Sequence, residues 1–189
     1  MSKHQKLSIF ISLILRHKPG TVGMALDENG WAVVDDLILG VNLNSKHLLN
    51  RMILNEIVAS DDKQRYSFNE DQSMIRANQG HSVNVDIKFE EKDPPDILYH
   101  GTNAEALDSI YRKGLKSMKR HDVHLSADFD ESYRVANRRK NKYPIVLVIA
   151  ASEMKEKGFV FNLSENKVWL TKKIPSHYIM GIYDLEDRG

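Results

Sequence analysis

The chain has 189 residues, enough for one large domain or two small ones with a buried core. Apolar and charged fractions of 41% and 28% are ordinary for a globular protein, and the absence of cysteine excludes a disulfide framework and a thiolate metal site. A net charge of +1, with both halves near neutral when the chain is divided near Lys88, excludes a protein held on long nucleic acid by a general basic field; any RNA contacts must be local and few.

The first predicted element is a helix, because Leu7, Phe10, Ile11, Ile14 and Leu15 recur at helical spacing. Pro19 disfavours helix at Lys18, so the helix should end near Arg16–His17, placing two cationic-capable groups at the negative end of its dipole. The apolar run Leu7 to Leu15 is too short to span a bilayer and holds Ser12, and a dibasic stretch follows it instead of a small-residue cleavage site. A cytoplasmic protein with no membrane partner is expected.

Gly30 to Val34 is a short apolar run after the turn-like Asp27–Glu28–Asn29–Gly30. Asp35 is placed to cap a helix through Leu39, and Ser45 to cap another with Leu48, Leu49, Met52, Ile53 and Ile57 as its stripe. Arg65 to Phe68 and Met74 to Ala77 flank a polar loop and read as a hairpin. Three helices followed by a hairpin is the plan of a winged-helix domain. The charged stretch 89–96 contains Pro94–Pro95 and reads as a linker between a lobe at 1–88 and one at 97–189.

Beyond the linker, strands and short helices alternate, so the fold class is α+β. Ile97 to His100 reads as a strand, Asn103 to Lys113 as a helix ended by Gly114, and Val123 to Ser126 as a strand. Asp128 to Asn141 is a polar helix and Ile145 to Ala150 a buried strand. Ser152 opens a short helix ended by Gly158. Phe159 to Leu163, Val168 to Thr171 and Tyr178 to Leu185 complete the strands. Two local basic stretches stand out, Arg112 to His121 and Arg134 to Lys142; the second reads as a solvated helix face.

The common cofactor signatures are missing: no G-x-G-x-x-G, no G-x-x-x-x-G-K-[ST], no H-E-x-x-H and no G-x-S-x-G. Four other strings carry the information. They are Leu15–Arg16–His17–Lys18–Pro19, Ile75–Arg76–Ala77–Asn78–Gln79–Gly80–His81–Ser82, Tyr99–His100–Gly101–Thr102, and Arg120–His121–Asp122–Val123–His124–Leu125–Ser126. In this order and spacing, and with Val168–Trp169–Leu170–Thr171 behind them, they resemble the tRNA 2′-phosphotransferase family over nearly the whole chain.

That resemblance implies an N-terminal winged-helix lobe, a C-terminal ADP-ribosyltransferase-like lobe, and an active site in the cleft between them. It implies NAD as a co-substrate, no metal, and RNA carrying an internal 2′-phosphate as the partner of a monomer. The 2′-phosphate would attack the nicotinamide-bearing ribose carbon, and the ribose 2″-hydroxyl would then attack that phosphate. The products would be 2′-hydroxyl RNA, ADP-ribose 1″,2″-cyclic phosphate and nicotinamide. String by string, Arg16, His17, Arg76 and Arg120 become the catalytic residues, and His100, Gly101, Thr102, His124, Leu125 and Ser126 the NAD contacts. Asn166–Lys167–Val168–Trp169 has an apolar side chain where related protein-modifying transferases carry a glutamate. A phosphate acceptor makes that intelligible, since it is mostly a dianion at neutral pH with a second pKa of about 6.

Each residue taken singly has a plainer reading. Arg16 and His17 could cap a helix, Arg76 could be a solvated edge-strand cation, and His100 and His124 could be hydrogen-bonded core residues. Gly101 could mark a turn or bulge. Trp31 and Trp169 read as core packing. Gln79 and His81 fit a hairpin exit turn as well as an RNA contact. Their joint occurrence in family order favours the site for the first group. Two rival readings are an ADP-ribosyltransferase acting on another acceptor, such as a terminal nucleic-acid phosphate, and a non-catalytic RNA-binding winged-helix protein.

Overall fold

The computed structural model describes residues 4–118, 120–138 and 143–183. The chain divides into two compact units, Met1–Lys88 and Phe89–Gly189, each with its own apolar core.

In the first unit, helix α1 (Gln5–Arg16) buries the stripe Leu7, Ile11, Ile14 and Leu15, and His17 ends it. Strand β1 (Trp31–Val33) runs directly into α2 (Val34–Asn44). Asp35 does not cap α2: Val33 holds that position, and Asp35 lies in the first turn near the positive end of the dipole. The helix passes Leu39 because Leu37 and Val41 continue its buried stripe. Ser45 closes α2 instead of opening the next helix, its hydroxyl donating to Val41 O at 2.9 Å. Asn42 then pins Leu49 through paired 2.8 Å bonds, Nδ2 to Leu49 O and Leu49 N to Oδ1, so the next helix waits for Asn50. The Asn50 side chain accepts from Ile53 N at 2.8 Å and caps α3 (Arg51–Ala59). Leu49, Leu54 and Ile57 are buried as a result, while Leu48 and Met52, expected in the stripe, are exposed.

The expected hairpin is β2 (Tyr66–Phe68) with β3 (Met74–Ala77), and β1 pairs on the far side of β3. The antiparallel order β1-β3-β2 makes β3 the central strand, so Arg76 does not stand on an edge as its plainer reading assumed. Ile75 and Ala77 enter the core, and period-2 alternation turns Arg76 to the other face, opposite Trp31 on one neighbour and Ser67 on the other.

In the second unit, β4 (Glu90–Glu91) lies within the stretch expected as linker and pairs there with Asn162 and Leu163. Strand β5 (Ile97–Asn103) is three residues longer than expected. It is followed by a 3₁₀ turn at Ala104–Ala106, α4 (Leu107–Lys113) and β6 (Leu115–Lys116). Then come β7 (Val123–Leu125), α5 (Phe129–Ala136), β8 (Pro144–Ala150) and α6 (Ala151–Glu156). Strands β9 (Asn162–Leu163), β10 (Trp169–Thr171), β11 (Lys173–Ile174) and β12 (Ile179–Tyr183) complete the unit.

Among the described residues these strands form three antiparallel sheets, with orders β12-β8-β5, β4-β9-β10-β7 and β11-β6. Every residue of β8 is buried, and β5 pairs along its full length with it. Asp128 caps α5 by accepting from Asp130 N and Glu131 N. The helix stops at Ala136, short of the Asn141 expected; 139–141 lie outside the described residues, as do 184 and 185 of the last expected strand. Ser152 lies inside α6 and does not cap it, because Asp96 O already accepts from both Ala151 N and Ser152 N. Among the described residues, no helix is long and apolar enough to cross a membrane.

Candidate active site

Strand β5 presents two different faces. On one, Tyr99 meets the edge of Phe129 with ring centroids 5.5 Å apart, and α5 lies across Gly101. A Cβ on Gly101 would come within 2.1 Å of Ser132 O and 2.9 Å of Ala136 N. The glycine is therefore required by the close approach of α5. On the other face, Leu98 enters the core and His100 reaches β7.

His100 Nδ1 lies 2.9 Å from His124 O. A carbonyl only accepts, so Nδ1 carries the proton and Nε2 keeps its lone pair. Arg120 Nη1 lies 3.1 Å from His124 Nδ1. A guanidinium only donates, so His124 Nδ1 accepts and its proton sits on Nε2. Three of the expected site residues thus form one hydrogen-bonded chain in which Arg120 and His100 both donate to His124, at its ring Nδ1 and its backbone carbonyl, with the two imidazoles held in opposite tautomers.

Burial lowers the His100 pKa from its usual value, the carbonyl of His124 works against the shift, and the charge of Arg120 adds to it. Arg120 is exposed at its surface yet partly desolvated; that desolvation, then the like charge of Arg138, lower its pKa.

The His100 shift has a sign that can be checked. Below the ordinary histidine pKa of about 6.5 the unfolded chain gains a proton that the folded chain refuses. The contribution of His100 to stability is therefore present above that pH and is lost as the pH falls. Denaturant midpoints measured from pH 7.5 to 5.5 (roughly spanning that pKa) should show wild type losing more stability than His100→Asn, whose amide keeps the donor. Parallel curves would contradict the neutral assignment.

Ser126 stands beside this chain, exchanging backbone hydrogen bonds with Tyr99 at 2.8 and 3.0 Å, while its hydroxyl accepts from Asp128 N at 3.0 Å. Thr102 is half-buried further along β5. Leu125 is a core side chain paired across from Trp169, so any ligand contact from it is through backbone.

In the first unit, His17 Nδ1 lies 2.9 Å from Ser82 Oγ, and Ser82 N donates to Arg16 O at 2.9 Å. The last string thus ties back onto the end of α1. Nε and Nη2 of Arg16 and Nε of Arg76 are buried. The Arg76 guanidinium sits 4.5 Å above the Trp31 ring, a cation–π stack. Trp31 is half-buried and supports Arg76 instead of filling the core, unlike Trp169, which is packed as expected. Sequence patterns could not find this pairing, because it depends on the β1–β3 register. Gln79 and His81 are buried, which favours the turn reading over an RNA contact. His17 also lines a groove of about 590 Å³ between α1 and segment 60–66, where Lys63 and Arg65 are offset by Asp61 and Asp62. Among the described residues, no group of three or more metal-ligating side chains is placed to hold an ion.

A sequence profile described as RNA 2′-phosphotransferase, Tpt1 / KptA family, matches residues 2–173. The chain belongs to that family. Its relatives include a probable RNA 2′-phosphotransferase of Fusobacterium nucleatum, 48% identical over 95% of this chain and 99% of the relative. Proteins with the same description in Flavobacterium johnsoniae and Escherichia coli O139:H28 are 43% and 44% identical, covering 93% and 91% of this chain and 94% and 92% of theirs. All four strings, and every expected site residue, fall inside the matched family region.

Proposed function

We propose that this member of the family is an NAD-dependent RNA 2′-phosphotransferase, with a winged-helix first unit and an ADP-ribosyltransferase-like second unit. The order α1, β1, α2, α3, β2, β3 of the first unit supports the winged-helix reading. The observation that carries the functional reading is the pair of hydrogen bonds by which Arg120 and His100 converge on His124, on and beside the strands expected to hold NAD.

That donor set suits a dinucleotide. His100 offers an acceptor at Nε2, His124 a donor at Nε2, and Thr102 and Ser126 offer hydroxyls. None of these groups is a carboxylate that would repel a pyrophosphate. NAD enters as a substrate whose ribosyl carbon accepts the RNA phosphate as nicotinamide leaves. The 2″-hydroxyl then attacks phosphorus, closing the 1″,2″-cyclic phosphate and breaking the bond to the RNA 2′-oxygen, which takes up a proton. The intermediate is 2′-phospho-ADP-ribosylated RNA.

No general base is needed for the first step, because the phosphate is already ionised. What it needs is charge neutralisation and aim, which a planar guanidinium supplies by bidentate contact. Arg16 and Arg76 take that role, with the Trp31 ring fixing the plane of the Arg76 fork. His17, fixed by Ser82, and Arg120 stabilise charge during transfer.

The direct test is to incubate the protein with NAD and a short internally 2′-phosphorylated RNA and to resolve the products. The expected products are 2′-hydroxyl RNA, the cyclic phosphate and nicotinamide; unchanged RNA would sink the reading. In the same assay Arg76→Ala should slow phosphate removal by about 100-fold or more while calorimetry shows NAD binding intact. Arg76→Lys should recover little, because a lysine neither forks around a phosphate nor stacks flat on Trp31. Loss of NAD binding in folded Arg76→Ala would contradict its assignment to the RNA.

A further inference from the structure

We propose that Lys172 and Asp122 form a clamp that positions Arg120. The inference rests on the reading of Arg120 given above. Strands β10 and β7 pair Thr171 with Val123 at the last step of their ladder. One step beyond it, where the ladder has ended, Lys172 Nζ meets Asp122 Oδ1 at 2.7 Å, and it lies 3.5 Å from His121 O. The ion pair therefore extends the strand pairing by side chains into the segment that carries Arg120.

That segment needs an external hold. Met118 has a left-handed φ of 56° and is 87% exposed, so no apolar packing from it holds the turn. Within the turn, Arg120 N donates to Ser117 O at 3.1 Å. The Asp122 side chain is only 10% exposed, while Lys172 is 78% exposed. Most exposed ion pairs add little to stability. This pair differs because one partner is nearly buried and its cation reaches in from solvent. Asp122 is two residues from Arg120, and the Arg120 guanidinium reaches forward to His124 Nδ1. If Asp122 shifts, the guanidinium loses its aim at His124 and at a phosphate together.

The test uses Lys172→Met and Lys172→Arg in the full chain. Lys172→Met keeps the aliphatic stem and removes the charge. It should lower kcat by about ten- to a hundredfold, the scale of a misplaced catalytic group, and raise KM for NAD by no more than a few-fold, the scale of about one net hydrogen bond, with the thermal midpoint unchanged, and Lys172→Arg should restore most of the loss. A merely structural role would not move a second readout, the ¹⁵N shifts of the His124 ring without ligands. In wild type they should report an unprotonated Nδ1 and a protonated Nε2; in Lys172→Met they should move toward tautomer-averaged values.

Wild-type kcat, or unmoved His124 shifts, in Lys172→Met would overturn the clamp. A wild-type protein that makes no product from NAD and 2′-phosphorylated RNA would instead overturn the proposed function, and the ligand-free ¹⁵N shifts would still judge the clamp.

Discussion

Arg120→Ala is expected to stall the reaction after its first step, so that RNA bearing 2′-phospho-ADP-ribose accumulates as a slower band on a denaturing gel. In the first step a cationic nicotinamide ring leaves as a neutral molecule, and the phosphate serves only as a positioned anion. In the second, a hydroxyl is forced onto a phosphodiester and negative charge builds on its non-bridging oxygens. A preorganised guanidinium acts most strongly where charge develops, and removing one such group slows a step by about 100- to 1,000-fold.

The structure adds a second consequence to that substitution. Arg120 donates to His124 Nδ1, and its charge helps to keep His100 neutral. Alanine at 120 removes the donor that fixes the His124 tautomer, so KM for NAD should rise by a few-fold alongside the loss in the second step, on the scale of about one net hydrogen bond. Single-turnover kinetics separate the two effects. A variant that stalls without any intermediate would assign Arg120 to the first step or to folding alone, and would overturn this division of labour.

Gly101→Ala should destabilise the second unit. Its new Cβ would meet two backbone atoms of α5, Ser132 O at 2.1 Å and Ala136 N at 2.9 Å. Backbone cannot step aside as a flexible side chain can. Either α5 lifts from β5 or β5 shifts from β8, and the Tyr99–Phe129 contact is lost with it. Overpacking usually costs 1 to 3 kcal/mol, and two backbone clashes place this case at the upper end, about 3 kcal/mol. A fall in Tm of roughly 6–12 °C would follow for a chain of this size.

NAD affinity should weaken too, because His100 lies next to Gly101 and is aimed by the same strand. The competing idea is that the glycine only makes room for a ligand. In that case Gly101→Ala would lose NAD affinity with an unchanged Tm, and calorimetry with thermal melts on one sample distinguishes the two.

The strings around Arg16, Arg76, His100 and Arg120 were legible from the amino-acid order, and with them the family. The same is true of α1, whose five apolar residues keep helical period up to a proline, and of β8, whose unbroken apolar run leaves no other reading than a buried strand. Those features are local: periodicity, a proline's fixed backbone and a run of apolar side chains act within a dozen residues. Where two local signals competed, the tertiary structure chose. Ser45 and Asn50 are equally good caps, and the Asn42–Leu49 bonds gave the helix to Asn50.

Strand pairing was the larger gap. Whether β3 is an edge or a centre depends on β1, more than forty residues earlier, and only that pairing put Trp31 beneath Arg76. The role of Gly101 was set by a helix thirty residues later, and the tautomers of His100 and His124 by which atoms the fold brought to their rings. Residue types alone determined which chemistry this protein has to hand. Long-range register and packing, which sequence order does not encode at any fixed spacing, decided which nitrogen donates, which accepts and what holds each guanidinium in place.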